Sequence, residues 1–225
     1  MNQETKKQFK SELFEQFARI GKALAAPQRL EILELLSQEE KPVEAVASAI
    51  CIPIANASQH LQVLRRAQLV SIRRQGTHIF YRLSDPAVFR LWQAIRELAE
   101  GRLAEVERVV ATYLTDRAEL EAIGSEELAR KLLEEDITVL DVRPESEYLT
   151  AHIAGARSLP IEELEARIGE LAPGASIVAY CRGPYCVFAD DAVRLLKAKG
   201  FDAKRLDIGL PDWMAQGLPT EKKVA

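Results

Sequence analysis

The pattern of apolar residues changes in kind near residue 115, and this change constrains the fold more than any other feature. Before it, apolar residues recur at helical spacing in several segments, interrupted by two strand-like runs. From Ser125 onward, short apolar runs such as ITVLDVR and SIVAYC alternate with amphipathic helix patterns such as ADDAVRLLKAKG. A length of 225 residues suffices for two domains. We therefore predict domains at residues 1–114 and 125–225, joined by a linker at 115–124.

The first domain is predicted to be mainly helical. The expected helices lie at residues 8–24, from Pro27, from Pro42 to Ile50, at about 54–67, and from Pro86 to about Leu114. The third and fourth helices, with their short connection, have the outline of a helix-turn-helix. Strand-like runs at 69–74 and 78–83, with a turn at 75–77, predict a β-hairpin. The length of the last helix favours a dimer surface.

Charge is distributed unevenly along the chain. Residues 1–118 carry 17 Lys and Arg against 14 Asp and Glu, whereas residues 119–225 carry 13 against 20. No acidic residue occurs between Glu44 and Asp85, a stretch that contains Arg65, Arg66, Arg73, Arg74 and Arg82. Such a basic stretch in an acidic protein indicates either a face for a polyanion or a solvated basic surface.

The fourth predicted helix carries side chains suited to double-stranded DNA. Asn and Gln can pair bidentately with adenine, and Ser can bond to bases or phosphates. The predicted base-reading residues, in the N-terminal half of this helix, are Asn56, Ser58, Gln59 and His60. The predicted phosphate-contacting or wing residues are Arg65, Arg66, Arg73, Arg74 and His78. Ala57, Leu61 and Leu64 are expected to face inward.

Residues from about 10 to 114 resemble the ArsR-type winged helix-turn-helix repressors. The resemblance is carried by NASQHLQVLRRAQLVSIRRQGTHIFYRL and by the order of the helices. It implies a homodimer that binds palindromic DNA through a winged helix-turn-helix, with the first and last helices at the dimer interface. The metal-sensing cysteine pairs of many such repressors are missing from PVEAVASAI and from the final helix. We expect no metal site, and we expect Cys51 to be a small buried hydrophobe.

The segment YCRGPYC raises the question of sulfur chemistry in the second domain. Cys181 ends a predicted strand, at the sheet edge where Asp141 and Arg143 also fall. Because Gly183 permits a tight turn, the N–H groups of residues 182–187 could converge on the sulfur and stabilise its anion. The residues of this predicted anion cradle are Gly183, Pro184, Tyr185 and Val187. We expect an exposed, reactive Cys181 thiolate, although a disulfide, a metal or simple packing stays open.

Residues 125 to about 218 resemble a single rhodanese domain. Three separated motifs carry the resemblance: VLDVRPESEYLTAHIAGARSLP, YCRGPYC and IGLPDWMAQGLP. It implies an α/β fold with a largely parallel sheet, and Cys181 as the acceptor of sulfane sulfur. Asp141, Arg143 and His152 match the supporting motif and are either functional or strand-end structure. Glu147 is expected to pack against or pair with a neighbouring basic group, and Arg182 is a candidate source of positive charge.

Cys186 stands where many rhodaneses have an arginine, and Val187 stands where a phosphatase loop needs one. We interpret Cys186 as a resolving thiol that attacks a persulfide on Cys181, or as a residue buried in the first turn of a helix. A separation of five residues can bring two Cα atoms within the roughly 4.4–6.8 Å of a disulfide.

The sequence favours a dimeric transcriptional regulator that responds to a small sulfur donor, such as a persulfide, polysulfide or thiosulfate. The alternatives are a sulfurtransferase fused to a DNA-binding module, and a partner-binding domain with an idle thiol. Three cysteines and a polar N-terminus predict a reducing cytoplasm. We expect neither a cofactor nor a membrane partner.

Overall fold

The computed structural model describes residues 1–114, 117–134 and 137–222. Contacts divide the chain into two compact units, residues 1–92 and 93–225. This division falls inside the last helix of the domain that we predict at residues 1–114, and the predicted boundaries stay a prediction. Residues 115–116 of the predicted linker and residues 135–136 and 223–225 of the predicted second domain lie outside the described residues.

The first unit is a winged helix-turn-helix. Its elements are α1 (Gln3–Leu24), α2 (Pro27–Leu36), β1 (Lys41–Pro42), α3 (Val43–Ala49), α4 (Ile54–Arg66), β2 (Val70–Gln75), β3 (His78–Leu83) and the start of α5 (Pro86–Arg102). Asn2 caps α1 by accepting the Thr5 N–H at 2.9 Å, and Pro27 occupies the first turn of α2. Apolar side chains of α2, α3 and α4 bury one another, which fixes the outward face of α4.

The strands of the first unit form a sheet in the order β1-β3-β2, and both of its pairs are antiparallel. The β2–β3 hairpin turns at Gly76 and Thr77, with Gln75 opposite His78. Gly76 has φ of +59°, a left-handed conformation that glycine adopts without steric cost. The hairpin therefore corresponds to the predicted wing, except that its first strand begins and ends one residue later than predicted.

The prediction of one long helix from Pro86 to Leu114 is wrong, because the helix is interrupted at Leu103. Leu103 is extended, with φ of −109° and ψ of 102°, and a separate helix, α6 (Ala104–Tyr113), follows it. Gly101, a weak helix former, lies in the last turn of α5. Glu105 and Glu107 lie in the first turn of α6, where negative charge stabilises a helix N-terminus.

Cys51 is exposed, so its prediction as a small buried hydrophobe is also wrong. It follows α3 with φ of 54°, the left-handed conformation that commonly ends a helix. The Ile52 N–H donates to the Ala47 carbonyl at 3.0 Å, as in a Schellman motif. The turn geometry therefore places this side chain outside the core.

The second unit contains a five-stranded parallel sheet in the order β4-β9-β8-β5-β7, as predicted for an α/β domain. After α6 its elements are a 3₁₀ turn (Arg117–Glu119), β4 (Ala122–Ile123), α7 (Ser125–Glu134), β5 (Ile137–Asp141), α8 (Glu145–Thr150), β6 (His152–Ile153), β7 (Arg157–Ser158), α9 (Ile161–Arg167), a second 3₁₀ turn (Ile168–Glu170), β8 (Ser176–Tyr180), α10 (Val187–Ala198), β9 (Asp202–Leu206), α11 (Leu210–Ala215) and β10 (Thr220–Glu221). Among the described helices, none is long and apolar enough to cross a membrane.

The central strands of this sheet are buried on both faces. Successive residues alternate between two apolar clusters, so that Leu140 and Ala179 lie in one cluster while Val139 and Val178 lie in the other. Continuous burial is typical of parallel sheets and explains why ITVLDVR and SIVAYC have no polar alternation. The carboxyl ends of β5 and β8 consequently bring Asp141 and Tyr180 side by side.

Candidate functional site

The two cysteines of YCRGPYC close a small loop at the carboxyl end of β8. Cys181 and Cys186 form a disulfide, with their Cα atoms 6.2 Å apart. Cys186 is the N-cap of α10, a helix of 12 residues. Its N–H donates to the Gly183 carbonyl at 3.1 Å, and therefore closes the turn. Residues 182–185 are thus held between two bonded sulfurs.

Access to the two sulfurs is unequal. Cys181 is only 1% exposed, because it lies in the apolar cluster beside Leu140 and Ala179, whereas Cys186 is half-buried. We expected an exposed Cys181 sulfur, and in the disulfide form this expectation is wrong. The physical reason is that the carboxyl end of β8 lies inside the core. Cys181 is therefore the more enclosed of the two cysteines.

Gly209 lies in close contact with the backbone of the cysteine loop. A Cβ added at Gly209 would overlap the carbonyl group of Arg182 and the amide nitrogen of Gly183. The next residue, Leu210, donates its N–H to the Cys181 carbonyl at 3.2 Å. This close backbone contact therefore explains why the IGLPDW motif has a glycine immediately before α11.

Tyr185 and Pro184, two residues of the predicted anion cradle, contact side chains of earlier segments within the second unit. The Tyr185 hydroxyl donates to Glu100 of α5 at 2.7 Å, and Arg117 donates to the Pro184 carbonyl. The Arg117 guanidinium lies over the Tyr185 ring, 5.8 Å from its centroid. Burial and the Glu100 carboxylate raise the pKa of Tyr185 to about 12. The loop between the cysteines is thus attached to the second half of α5.

Arg182 binds Glu147. Its Nε and Nη2 donate to the Glu147 carboxylate at 2.6–3.1 Å, and its guanidinium lies 5.7 Å from the centroid of the Phe188 ring. The expectation that Glu147 pairs with a basic neighbour is confirmed. A bidentate pair of this kind holds the arginine in one orientation.

Asp141 and Arg143 bind each other in the core. Arg143 donates to both Asp141 oxygens at 2.6–3.2 Å and to the Ala151 carbonyl at 2.7 Å. The Tyr180 hydroxyl donates to Asp141 at 2.6 Å. Burial disfavours the charged form of Arg143, but the hydrogen bond with Asp141 and the charge of Asp141 raise the pKa of Arg143 above its ordinary value. Burial, together with the charge of Asp141, raises the pKa of Tyr180 well above its ordinary value. This arrangement supports a structural role for Asp141 and Arg143.

A continuous line of charges connects this core pair to the cysteine loop. The Arg143 guanidinium lies 3.8 Å from Glu147, which in turn binds Arg182 beside Cys181. His152, from the same sequence motif, is buried and stacks on Tyr148 with ring centroids 3.8 Å apart. The motif therefore reaches the cysteine loop through Glu147, which binds Arg182.

Sequence reasoning missed several long-range charged contacts within the second unit. Arg96 donates to Asp212, Gln93 donates to the same carboxylate at 3.0 Å, and Asp212 is buried. Arg117 and Arg205 lie 3.4 Å and 3.6 Å from the Asp190 carboxylate. Burial raises the pKa of Asp190, although the charges of the two arginines oppose this rise. Only Asp212 had a local signal, an acidic residue three positions after the N-cap Gly209.

The predicted DNA contacts lie along one surface helix and the wing of the first unit. Ala57, Leu61 and Leu64 are buried, which confirms the inward face of α4. The exposed side chains are Asn56, Gln59, Arg65, Arg66, Arg74 and His78, whereas Ser58 and His60 are half-buried. These residues remain predicted contacts.

Arg73 differs from the other wing residues, because it donates to Glu40 through Nε at 2.8 Å and also through Nη2. Its guanidinium lies 4.8 Å from the centroid of the Phe80 ring. The hydrogen bond from Arg73 lowers the pKa of Glu40. A phosphate contact by Arg73 would therefore compete with a carboxylate of its own chain.

Across the residues that the structure describes, no three His, Cys, Asp or Glu side chains are grouped to hold a metal ion.

Comparison with known proteins gives the class. A helix-turn-helix domain model matches residues 24–73, and a rhodanese-like domain model matches residues 125–216. A curated relative, the HTH-type transcriptional regulator Rv0324 of Mycobacterium tuberculosis, is 44% identical over 95% of this chain and 93% of its own length. The chain belongs to this family of ArsR-like winged helix-turn-helix transcriptional regulators with a C-terminal rhodanese domain.

Two solved structures are each similar to one part of the chain. The homodimeric winged helix-turn-helix DNA-binding domain of Mb0332 from Mycobacterium bovis is 44% identical, covering 42% of this chain and 87% of that one, with a TM-score of 0.40. The rhodanese-like domain of the Anabaena protein Alr3790 is 35% identical, covering 45% of this chain and 78% of that one, with a TM-score of 0.42.

Proposed function

We propose that this transcriptional regulator senses reactive sulfur species through Cys181 and Cys186, and that their oxidation state governs its affinity for an operator. The observation that carries the proposal is the disulfide that closes the rhodanese-motif loop of a DNA-binding chain. A structural disulfide would be unusual in a reducing cytoplasm, where such bonds are mostly transient and functional.

The chemistry needs only a sulfane-sulfur donor as oxidant. The Cys181 thiolate takes the outer sulfur of a hydropersulfide RSSH, forming a Cys181 persulfide and releasing RS⁻. The Cys186 thiolate then attacks the inner sulfur, forming the disulfide and releasing HS⁻. Over both steps the two thiols are oxidised by two electrons, and RSSH is reduced to RSH and H₂S. Thiolate attack through such intermediates is the general route of disulfide exchange.

Contacts of the loop support a route from the sulfurs to α5. Tyr185 lies inside the closed loop and donates to Glu100, and the Arg96–Asp212 pair holds the same half of α5. α5 starts at Pro86 in the first unit, where Val88 and Phe89 are buried. Opening the loop would therefore change the support of a helix that both units share. Allostery requires that operator DNA bind the two states with different affinity.

A homodimer is part of this proposal. Phe9, Leu13, Phe14 and Phe17 of α1 are exposed in the single chain, although their spacing is that of a buried helix face. An exposed, contiguous apolar helix face of this kind is typical of an interface between protein chains. In such a dimer, two copies of α4 would read half-sites about one DNA turn apart.

The test uses DNA selected from a random pool by the reduced full-length protein. Polysulfide treatment of the wild type should change its operator affinity by at least about 5-fold, the lower range of allosteric coupling. Cys186→Ser should accumulate a persulfide on Cys181, and Cys181→Ser should not form the disulfide, both read by mass spectrometry. Equal operator affinities of the reduced and treated wild type would remove the sensing proposal.

The match to a rhodanese-like domain also favours a second candidate, a sulfurtransferase. Sustained turnover of thiosulfate, unaffected by operator DNA and lost in Cys181→Ser, would establish it. A sensor should instead react once per loop and stop at the disulfide.

A further inference from the structure

Arg182 is the one charged residue between the two cysteines, and a buried carboxylate already binds it. Its Nε and Nη2 donate to Glu147 at 2.6–3.1 Å, and the Glu147 side chain is only 1% exposed. Taking the partner from a buried charge is strongly destabilising, so Arg182 is not available to a second anion. Because Glu147 lies on α8, outside the loop that the disulfide closes, we expect the pair to persist in the reduced protein.

Two further charged side chains contact the residues between the cysteines. Arg117 donates to the Pro184 carbonyl, and its Nε lies 3.4 Å from the buried Asp190 carboxylate. The Glu100 carboxylate accepts the hydrogen bond of the Tyr185 hydroxyl. Within the part of the chain that the structure describes, the arginines that contact the loop are therefore accompanied by carboxylates, and the loop presents no excess of positive charge.

A negatively charged sulfur donor needs positive charge near the sulfur that it modifies. The attacking Cys181 thiolate is itself an anion, and like charges repel more strongly where the protein excludes water. Cys181 is enclosed by the core, so this repulsion is poorly screened. A hydropersulfide RSSH with an uncharged R group avoids the repulsion, whereas thiosulfate brings two negative charges.

We propose that Glu147 is a specificity-determining residue of the cysteine loop: by holding Arg182, it restricts the loop to sulfane-sulfur donors without an anionic group. With such a donor, the Cys181 thiolate takes the outer sulfur of RSSH and RS⁻ leaves. With thiosulfate, the same attack would form the persulfide and release sulfite, a dianion that no available arginine would stabilise. This inference rests on the proposed function, because it names the donor class of the same site.

The experiment compares donors of different charge on the reduced full-length protein. The donors are 2-hydroxyethyl hydropersulfide, its sulfonate counterpart 2-sulfoethyl hydropersulfide, and thiosulfate. Disulfide formation is followed by mass spectrometry, and each second-order rate is divided by the rate of the same donor with 2-mercaptoethanol. We expect the uncharged hydropersulfide to react at least about 5-fold faster than the sulfonate, and thiosulfate to be slowest. Equal normalised rates, or a faster sulfonate, would overturn the proposal.

Glu147→Gln keeps the size of the side chain and leaves the charge of Arg182 uncompensated. The rate of the sulfonate relative to the uncharged donor should rise about 10-fold, the order expected of one positive charge near the reacting sulfur. Adding Arg182→Gln to this variant should restore the wild-type ratio.

Glu134→Gln is the matched control, because it removes the same charge from an exposed arginine pair on α7. An unchanged ratio in Glu147→Gln, an equal rise in the control, or a ratio that stays high in the double variant would overturn the role of Glu147. The wild-type comparison needs no variant, so it decides the donor class even if Glu147→Gln does not fold.

Failure of the sulfur-sensing proposal gives a different result. The uncharged hydropersulfide would then form the disulfide and be preferred over the sulfonate, while operator affinity stays unchanged. Failure of the specificity proposal alone would leave the change in operator affinity intact, with normalised donor rates that do not depend on charge.

Discussion

Two arginine–carboxylate pairs, one in each unit, use the same chemistry at very different burial. The side chains of Arg143 and Asp141 are 0% exposed, whereas those of Arg73 and Glu40 are 40% and 30% exposed. The buried arginine has further acceptors in the Ala151 carbonyl and the nearby Glu147 carboxylate, and it is enclosed by the protein. The surface arginine can exchange its carboxylate for water or for a phosphate. Burial therefore decides whether an arginine serves the fold or remains available to a partner.

The energetics of the two environments explain the difference. Removing one partner of a buried pair leaves an uncompensated charge in a medium of low polarity, which is strongly destabilising. An exposed pair gains little, because water and salt screen the attraction. If the buried pair can be removed without loss of stability, burial does not explain its role; if removal of the surface pair changes DNA binding, exposure is what leaves Arg73 available to DNA.

The largest expected effect is that of Arg143→Met. The substitution leaves Asp141 buried without its guanidinium partner, and we expect the free energy of unfolding to fall by about 3–5 kcal/mol. Urea denaturation of the oxidised protein would measure this change. Arg130→Met, on the exposed side of α7, is the control and should have little effect. A loss below about 1 kcal/mol for Arg143→Met would show that the buried pair does not stabilise the fold.

Gly209→Ala should have the next largest effect. The added methyl group would overlap the Arg182 carbonyl, and backbone groups cannot rotate away, so we expect a loss of about 1–3 kcal/mol. The cysteine loop should shift, and the rate of disulfide opening should rise with it. Gly169→Ala places its methyl group in open space and is the matched control. Equal stability of the two variants would show that the loop moves freely over α11.

Local patterns predicted the parts of the molecule whose causes are local. Leu61 and Leu64 follow from helical spacing, and the wing follows from two β-rich runs around Gly76. The parallel sheet follows from apolar runs without polar alternation. Spacing also placed Cys181 and Cys186 within reach of one another, although it could not reveal that the core encloses only one of them.

The remaining features depend on long-range contacts that no window of sequence contains. Tyr185 meets Glu100 across 85 positions, and Arg117 meets Pro184 across 67. The exposure of Cys51 follows from a left-handed turn, where Gly or Asn would have been the recognisable signal. The break at Leu103 had only Gly101 as a warning, and a single glycine often sits inside a helix.

The smallest expected effects concern Glu40 and Arg73. Glu40→Gln removes the carboxylate that binds Arg73, so the wing gains an arginine free to contact phosphate. The slope of log K against log salt for operator binding should then steepen by about 0.9, the value for one added phosphate contact. Arg74→Gln, at an exposed wing position, should make the slope shallower by a similar amount. An unchanged slope in Glu40→Gln would show that Arg73 does not reach DNA.

The same variant separates the pH dependence of the surface pair from that of the rest of the fold. The hydrogen bond from Arg73 lowers the pKa of Glu40 below its ordinary value of 4.5. A carboxyl group whose pKa is lower in the folded chain stabilises the fold above its unfolded pKa, and this contribution is lost as the pH falls through the folded pKa. The stability of the wild type relative to Glu40→Gln should therefore be constant above about pH 5.5 and shrink below 4.5. Thermal unfolding of both proteins between pH 3 and 7 would measure it, and a difference that grows on acidification would contradict the pairing.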